Sequence, residues 1–194
     1  MDKEIKKINR DICLIKYRKI PLIAYDQKTD SEVFYFPKYK AHYWIKLPKV
    51  TSKKLTSELI KLLNLLNFKK FIFLDAKNKP WISKETEKRK DHKPLVKTVE
   101  YLKSLKIDTK FNGGIEIEVE KLQEFIPHFF RITSCDSGFF DYHFTDIDQN
   151  VIFYIHYSGE IQILPLNNKI NNKIRKIIKK TNFIDTLSER ANRI

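Results

Sequence analysis

The side chains best equipped for chemistry in this chain fall between Cys135 and His156. Alternation along "GFFDYHF" and "VIFYIHY" puts Asp141, His143, Tyr154 and His156 on one sheet face, with Cys135 and Asp136 just upstream. An imidazole beside a carboxylate is the minimal unit of a general base or a metal ligand, because the carboxylate fixes the ring tautomer and raises its basicity. Asp141, His143 and His156 are therefore the catalytic candidates. The face reads equally as a solvated sheet surface, and no glycine elbow around a nucleophile or HExxH pair accompanies it. No catalytic residue, metal site or cofactor is assigned from these residues.

Two other acidic patterns can be tested against known chemistry. In "DIDQN", Asp146, Asp148 and Asn150 occupy the first, third and fifth places of a calcium loop. Val151 then stands where the sharp turn needs glycine and Tyr157 where a bidentate glutamate belongs, so a polar hairpin turn is expected instead. "AYDQK" and "FLDAK" give Asp26-Lys28 and Asp75-Lys77, the acid-spacer-lysine pattern of a metal-dependent nuclease. In so lysine-rich a chain, roughly four such triplets arise by chance, so the pattern does not define a nuclease.

The stretch "VFYFPKYKAHYWIKL" crowds Phe34, Tyr35, Phe36, Tyr39, Tyr43 and Trp44 with His42 and three lysines. Aromatic faces that stack bases and cations that track phosphates make a single-strand platform, but strands are built from the same residues. Alternation divides the rings between two faces: His42, Trp44 and Lys46 on one, Tyr43, Ile45 and Leu47 on the other. Phe140, Tyr142, Phe144, Val151, Phe153, Ile155 and Tyr157 are expected in the core by the same argument.

The elements that must position these residues follow from periodicity. A short helix is expected over 2–11, with Ile5, Ile8 and Ile12 on one side, then strands at "CLIKYR", "PLIAYD", "EVFYF" and "HYWIKL". Leu55, Leu59, Leu62, Leu63 and Leu66 mark a helix capped by Thr51 or Ser52, and "KFIFLD" a buried strand. Pro94 opens a second helix, "IEIEVE" alternates as a strand with one dry face, and Leu122, Phe125, Ile126 and Phe129 mark a short helix. "GFFDYHF", "VIFYIHY" and "EIQIL" form a meander that leads into a basic C-terminal helix.

The expected fold is α+β, antiparallel meanders packed with amphipathic helices, with two similar lobes as one arrangement of them. The lobes would be residues 1–76 and 94–194, joined by a charged linker or long loop at 77–93. An offset of 115 aligns Leu55, Leu59, Leu62 and Leu63 with Ile170, Ile174, Ile177 and Ile178, the pattern of either a duplication or two converged amphipathic helices.

Charge bounds the function. The net charge is +14, yet between Gly114 and Leu166 nine acids face only Lys121 and Arg131. That segregation points to a non-catalytic protein-binding module, immunity- or antitoxin-like, engaging a basic partner through Asp136, Asp141, His143, Asp146, Asp148, Tyr154 and His156. The alternative is nucleic-acid binding through Lys88, Arg89, Lys90, Lys169, Lys173, Lys176 and Lys180. The start "MDKEIKKINR" has no apolar run after its charges, no window is long enough to span a membrane, and two cysteines make no disulfide framework, so a cytoplasmic setting is expected.

Overall fold

The computed structural model describes residues 5–136, 139 and 141–187. Among these the chain is α+β: six helices, an eight-stranded antiparallel sheet and a two-stranded sheet. In chain order the elements are β1 (Ile5–Ile8), α1 (Arg10–Lys16), β2 (Leu22–Asp26), β3 (Ser31–Tyr35), β4 (Tyr43–Lys46), α2 (Ser52–Leu66), β5 (Lys70–Asp75), α3 (Lys84–Lys88) and α4 (Lys93–Ser104). Then come β6 (Gly114–Glu118), α5 (Leu122–Cys135), β7 (Tyr142–Asp146), β8 (Val151–Ile155), β9 (Ile161–Pro165), α6 (Asn168–Ile178) and β10 (Ile184–Asp185). The large sheet runs β1-β6-β5-β7-β8-β9-β4-β10, and β2 pairs with β3 alone.

One sheet face is dry. Phe71 and Phe73 of β5, Phe144 of β7, Phe153 of β8 and Ile163 of β9 are fully buried there. Phe73 stacks on Phe144 at 4.5 Å, and Phe144 on Phe153 at 4.9 Å, so the registers Phe73↔Phe144↔Phe153 continue as side-chain contacts. Helices α2, α4, α5 and α6 cover this face with their leucine, phenylalanine and isoleucine stripes. Thr51 caps α2 by accepting from Lys54 N at 3.2 Å, Asn67 ends it in a left-handed conformation, and Asn167 caps α6 through Ile170 N at 2.9 Å.

The other face is covered at one end only. Cys13 of α1 and Tyr17 just after it, with Ile8 and Ile20, bury Ile72 and Leu74 in a second, smaller cluster. Next to it the β2–β3 hairpin lays Phe34 and Phe36 on the sheet, tethered where Ile23 N donates to Ala76 O at 3.0 Å. Beyond the hairpin Ile152 and Leu164 are buried on the outer surface of β8 and β9, while Tyr154, Gln162 and, on β4, Trp44 stay partly exposed.

Four expectations change. Residues 5–8 are a strand, because they pair with β6 from Ile5↔Ile117 to Ile8↔Gly114, and the helix starts only at Arg10, where Asn9 accepts from Asp11 N. "CLIKYR" is consequently helical; Cys13 and Tyr17, four apart, face inward while Ile12 and Ile15 stay exposed. Tyr157 lies beyond the end of β8 and is 54% exposed, not core, whereas Phe140 falls outside the described residues. The helix begun at Leu122 also runs on to Cys135.

The expected division at 77–93 does not coincide with a division of the sheet, since β1, β5 and β4 alternate in it with strands from beyond residue 94. Nor is 77–93 a free tether: Trp81 and Ile82 are buried, Trp81 Nε1 donates to Gly113 O at 2.9 Å, and α3 forms within it. The matching apolar positions of α2 and α6 place both helices side by side on the dry face. Gly113, just before β6, has the tightest backbone approach among the described glycines, because an added Cβ would collide with the Ile8 carbonyl oxygen of the paired β1. Gly113→Ala is expected to cost about 3 kcal/mol, read from the urea midpoint at unchanged slope.

Candidate functional site

The outer face carries a continuous series of rings. Phe34 stacks on Phe36 at 4.6 Å, and both meet His143 edge-on at 5.6 and 5.9 Å. His143 lies 5.3 Å from Tyr154, its register partner on β8. Tyr154 and His156 each stand 6.3 Å from Trp44, which continues through His42 to Tyr39 at 6.1 Å per step. Alternation explains the assembly: Tyr154 pairs with Gln162 and Gln162 with Trp44, so three strands in a row point these residues the same way. His42 is held by Gln162, their Nε2 atoms 2.9 Å apart, and His156 Nδ1 lies 2.7 Å from Ser158 Oγ.

Two depressions flank Trp44. Phe36, Tyr39, His42, Gln162 and Leu164 line one of about 160 Å³, and Trp44, His156, Glu160, Thr186 and Leu187 line one of about 290 Å³. The first is predominantly apolar; the second offers a carboxylate. Tyr39 is 46% exposed and Phe36 42%, while Trp44 is half-buried.

Of the candidates named from the sequence, His143, Tyr154 and His156 are brought together and the carboxylates are not. His143 is fully enclosed under Phe34 and Phe36; its Nδ1 lies 3.1 Å from the backbone oxygen of Asp141, and burial lowers its pKa to about 4. The Asp141 carboxylate turns instead toward Lys79, at 3.7 Å. The imidazole-carboxylate unit thus does not form between Asp141 and either histidine. Asp136 accepts from Thr86 Oγ1 at 2.7 Å near the end of α5, Asp148 is exposed on the β7–β8 turn, and Cys135 Sγ lies 3.8 Å from His92 Nδ1. No group of three His, Cys, Asp or Glu side chains lies within reach of a common metal ion among the described residues.

Asp146 is structural. Its buried carboxylate accepts from Asn150 N and Nδ2, both at 2.7 Å, and from Val151 N at 3.2 Å, closing the turn that the failed calcium pattern marked. Burial raises its pKa against these bonds. Asp146→Ala is expected to lower stability by about 2 kcal/mol, because two backbone donors lose their acceptor, with Asp146→Asn intermediate in thermal denaturation.

Asp75 closes β5 in the same way, Oδ2 accepting from Lys77 N at 2.8 Å and Lys79 N at 2.7 Å. Its Oδ1 is buried without a hydrogen-bond partner, and burial pushes its pKa up to about 6 despite these donors and Arg10. Asp26 accepts instead from Lys28 N and Tyr35 Oη in its own hairpin, and the Lys77 ammonium pairs with Glu32 at 2.7 Å. The two acid-spacer-lysine patterns therefore serve separate turns.

The acids of 114–166 are likewise dispersed. Glu116 and Glu118 pair with Lys70 at 3.7 and 3.2 Å on β5, and Tyr17 donates to Glu116 at 3.1 Å. Among the lysine-rich candidates, Arg89 is committed to Asp91 and to the carbonyl of Cys135. Sequence reasoning separated Trp44 and His42 from Tyr43 and Ile45 but did not join them to Tyr154 and His156, because the β4–β9 pairing spans more than a hundred residues.

Among the described residues no helix is long and apolar enough to cross a membrane. Comparison with protein-family models, curated proteins and solved structures found no match.

Proposed function

We propose that this chain is a non-catalytic binding protein that docks another protein on the ring-lined outer face of β8, β9 and β4. The observation that carries the reading is the uninterrupted ring series from Phe36 through His143, Tyr154 and Trp44 to Tyr39, partly exposed beyond the hairpin. Tryptophan and tyrosine in partly desolvated pockets are the residues that dominate protein interfaces. Base stacking is less well served. Trp44 meets Tyr154 and His156 at 89° and 87°, so it shares no parallel face with either of these neighbours for successive bases.

The partner suited to this surface carries an apolar side chain for the depression at Phe36 and Leu164, and a basic one for Glu160 beside Trp44. An immunity- or antitoxin-like role fits the same surface, with rings rather than a carboxylate cluster as the recognition element. A photo-crosslinker installed at Tyr39 should trap a protein that one installed at Lys61, on the helical side, does not. Glu160→Lys should reduce that trapping. Equal trapping from both positions, or trapping unaffected by Glu160→Lys and by Trp44→Ala, removes the proposal.

A further inference from the structure

Among the described residues ion pairs hold Glu32, Glu87, Asp91, Glu116, Glu118, Glu124 and Asp141, and many exposed cations make no such pair. Lys70, Lys77, Lys79 and Lys103 all face carboxylates, on Glu116, Glu118, Glu32, Asp141 and Glu87. The neighbouring helices α2 and α6 are different. On α2, Lys53, Lys54 and Lys61 are exposed; on α6, Lys169, Arg175 and Lys176 are exposed, with Lys179 and Lys180 immediately after it. None of these eight makes an ion pair among the described residues. Glu58 is the sole carboxylate on the two helices, and it is occupied by Asn182 N and Nδ2 at 2.9 and 2.8 Å.

The two helices are fixed to one another. Besides their packing, Lys173 of α6 reaches across to donate to Leu66 O at 2.6 Å, capping the last turn of α2. This cation is thereby spent on the fold, while the other eight stand on a rigid support.

Three kinds of anionic partner could meet such a face, and its apolar content separates them. Ile170, Ile174, Ile177 and Ile178 are all buried against the sheet, leaving no apolar edge for insertion into a lipid surface. A protein interface needs aromatic or aliphatic anchors, and the large exposed hydrophobics lie elsewhere, none of them on α2 or α6. A single strand needs exposed rings for its bases, and among the described residues none stands on α2 or α6. A regular array of phosphates requires only cations.

We infer that the α2–α6 face binds the phosphate backbone of double-stranded nucleic acid without reading its sequence. This surface is on the side of the sheet opposite the ring series, so it neither uses nor depends on the protein-docking surface. Lys88 and Lys90 lie at the far end of the helical layer, beyond α4 and α5, and are outside it.

The test is fluorescence anisotropy with a labelled duplex DNA of about 20 base pairs. Wild-type affinity should fall about 150-fold from about 50 to about 200 mM salt, as for roughly four neutralised phosphates, and should not change when the sequence is scrambled. Lys169→Gln/Lys176→Gln/Lys180→Gln and, separately, Lys53→Gln/Lys61→Gln should each weaken binding at least tenfold and flatten the salt dependence. These exposed, charge-neutralising changes preserve the fold, which circular dichroism verifies. Lys88→Gln/Lys90→Gln and Trp44→Ala should bind as wild type. No binding at low salt, or undiminished binding by the α2 and α6 variants, overturns the inference. Equal or tighter binding to polyglutamate, to a single strand of equal length or to anionic phospholipid vesicles overturns it in favour of that other partner.

Discussion

Trp44→Ala should weaken partner binding at least thirtyfold while leaving the fold intact. The ring is the meeting point of the docking surface, touching His42, Tyr154 and His156 and contributing to the wall of the Glu160 depression. Truncation therefore removes the largest anchor and leaves its neighbours without a common contact. Central aromatic anchors of this kind cost about 2 kcal/mol or more on truncation, which is the thirtyfold change. Stability should move less, because Trp44 stands on the outer side of β4 while Tyr43, Ile45 and Leu47 hold the strand to the core. Equilibrium binding of the cross-linked partner, with urea denaturation of the same variant, separates the two effects. A thirtyfold loss accompanied by an equal loss of stability would assign Trp44 to the fold; unchanged affinity would end its role as anchor.

The second large effect concerns pH, where two buried groups act in opposite directions. His143 titrates near 4 in the folded chain against about 6.5 when unfolded, so between these values the unfolded chain takes up more protons. Its contribution is complete above pH 6.5 and is lost as the pH falls toward 4, by about 3 kcal/mol. Asp75 titrates near 6 when folded and about 3.8 when unfolded, so the folded chain takes up more protons. Its contribution is complete below pH 3.8 and is lost as the pH rises through 6, again by about 3 kcal/mol. Together they leave a nearly flat profile between pH 4 and 6. His143→Asn should unmask stability that increases on acidification, and Asp75→Asn stability that decreases. Urea midpoints at intervals of half a pH unit measure both slopes; slopes of the same sign would show that the two groups do not titrate as their burial requires.

Alternation made the separation of Trp44 and His42 from Tyr43 and Ile45 legible, since the side-chain period of a strand is local. The dry face of the meander was legible for the same reason, as were α2 and α6 from their leucines and isoleucines. The N-terminus was not. Four residues, Ile5–Ile8, carry too little pattern to distinguish a turn of helix from an edge strand, and their β6 partner stands more than a hundred positions away. Charge misled in a more specific way. The acids of 114–166 cluster along the chain, but Glu116 and Glu118 pair with Lys70, Asp141 lies against Lys79, and Asp146 turns inward to hold its own loop, so a run in sequence did not become a patch in space.

The interleaved sheet also imposes an order of synthesis. β4 can pair only with β9 and β10, its two neighbours in the sheet, and β9 is made some 115 residues later. Contacts of such long sequence separation form late, after the entropy of closing large loops has been overcome. On the ribosome β4 therefore waits as an unpaired ribbon, with Tyr43 and Ile45 showing on one side and Trp44 on the other, until Ile161–Pro165 has cleared the exit tunnel. A nascent chain stalled between residues 76 and 160 would be the form most in need of a chaperone.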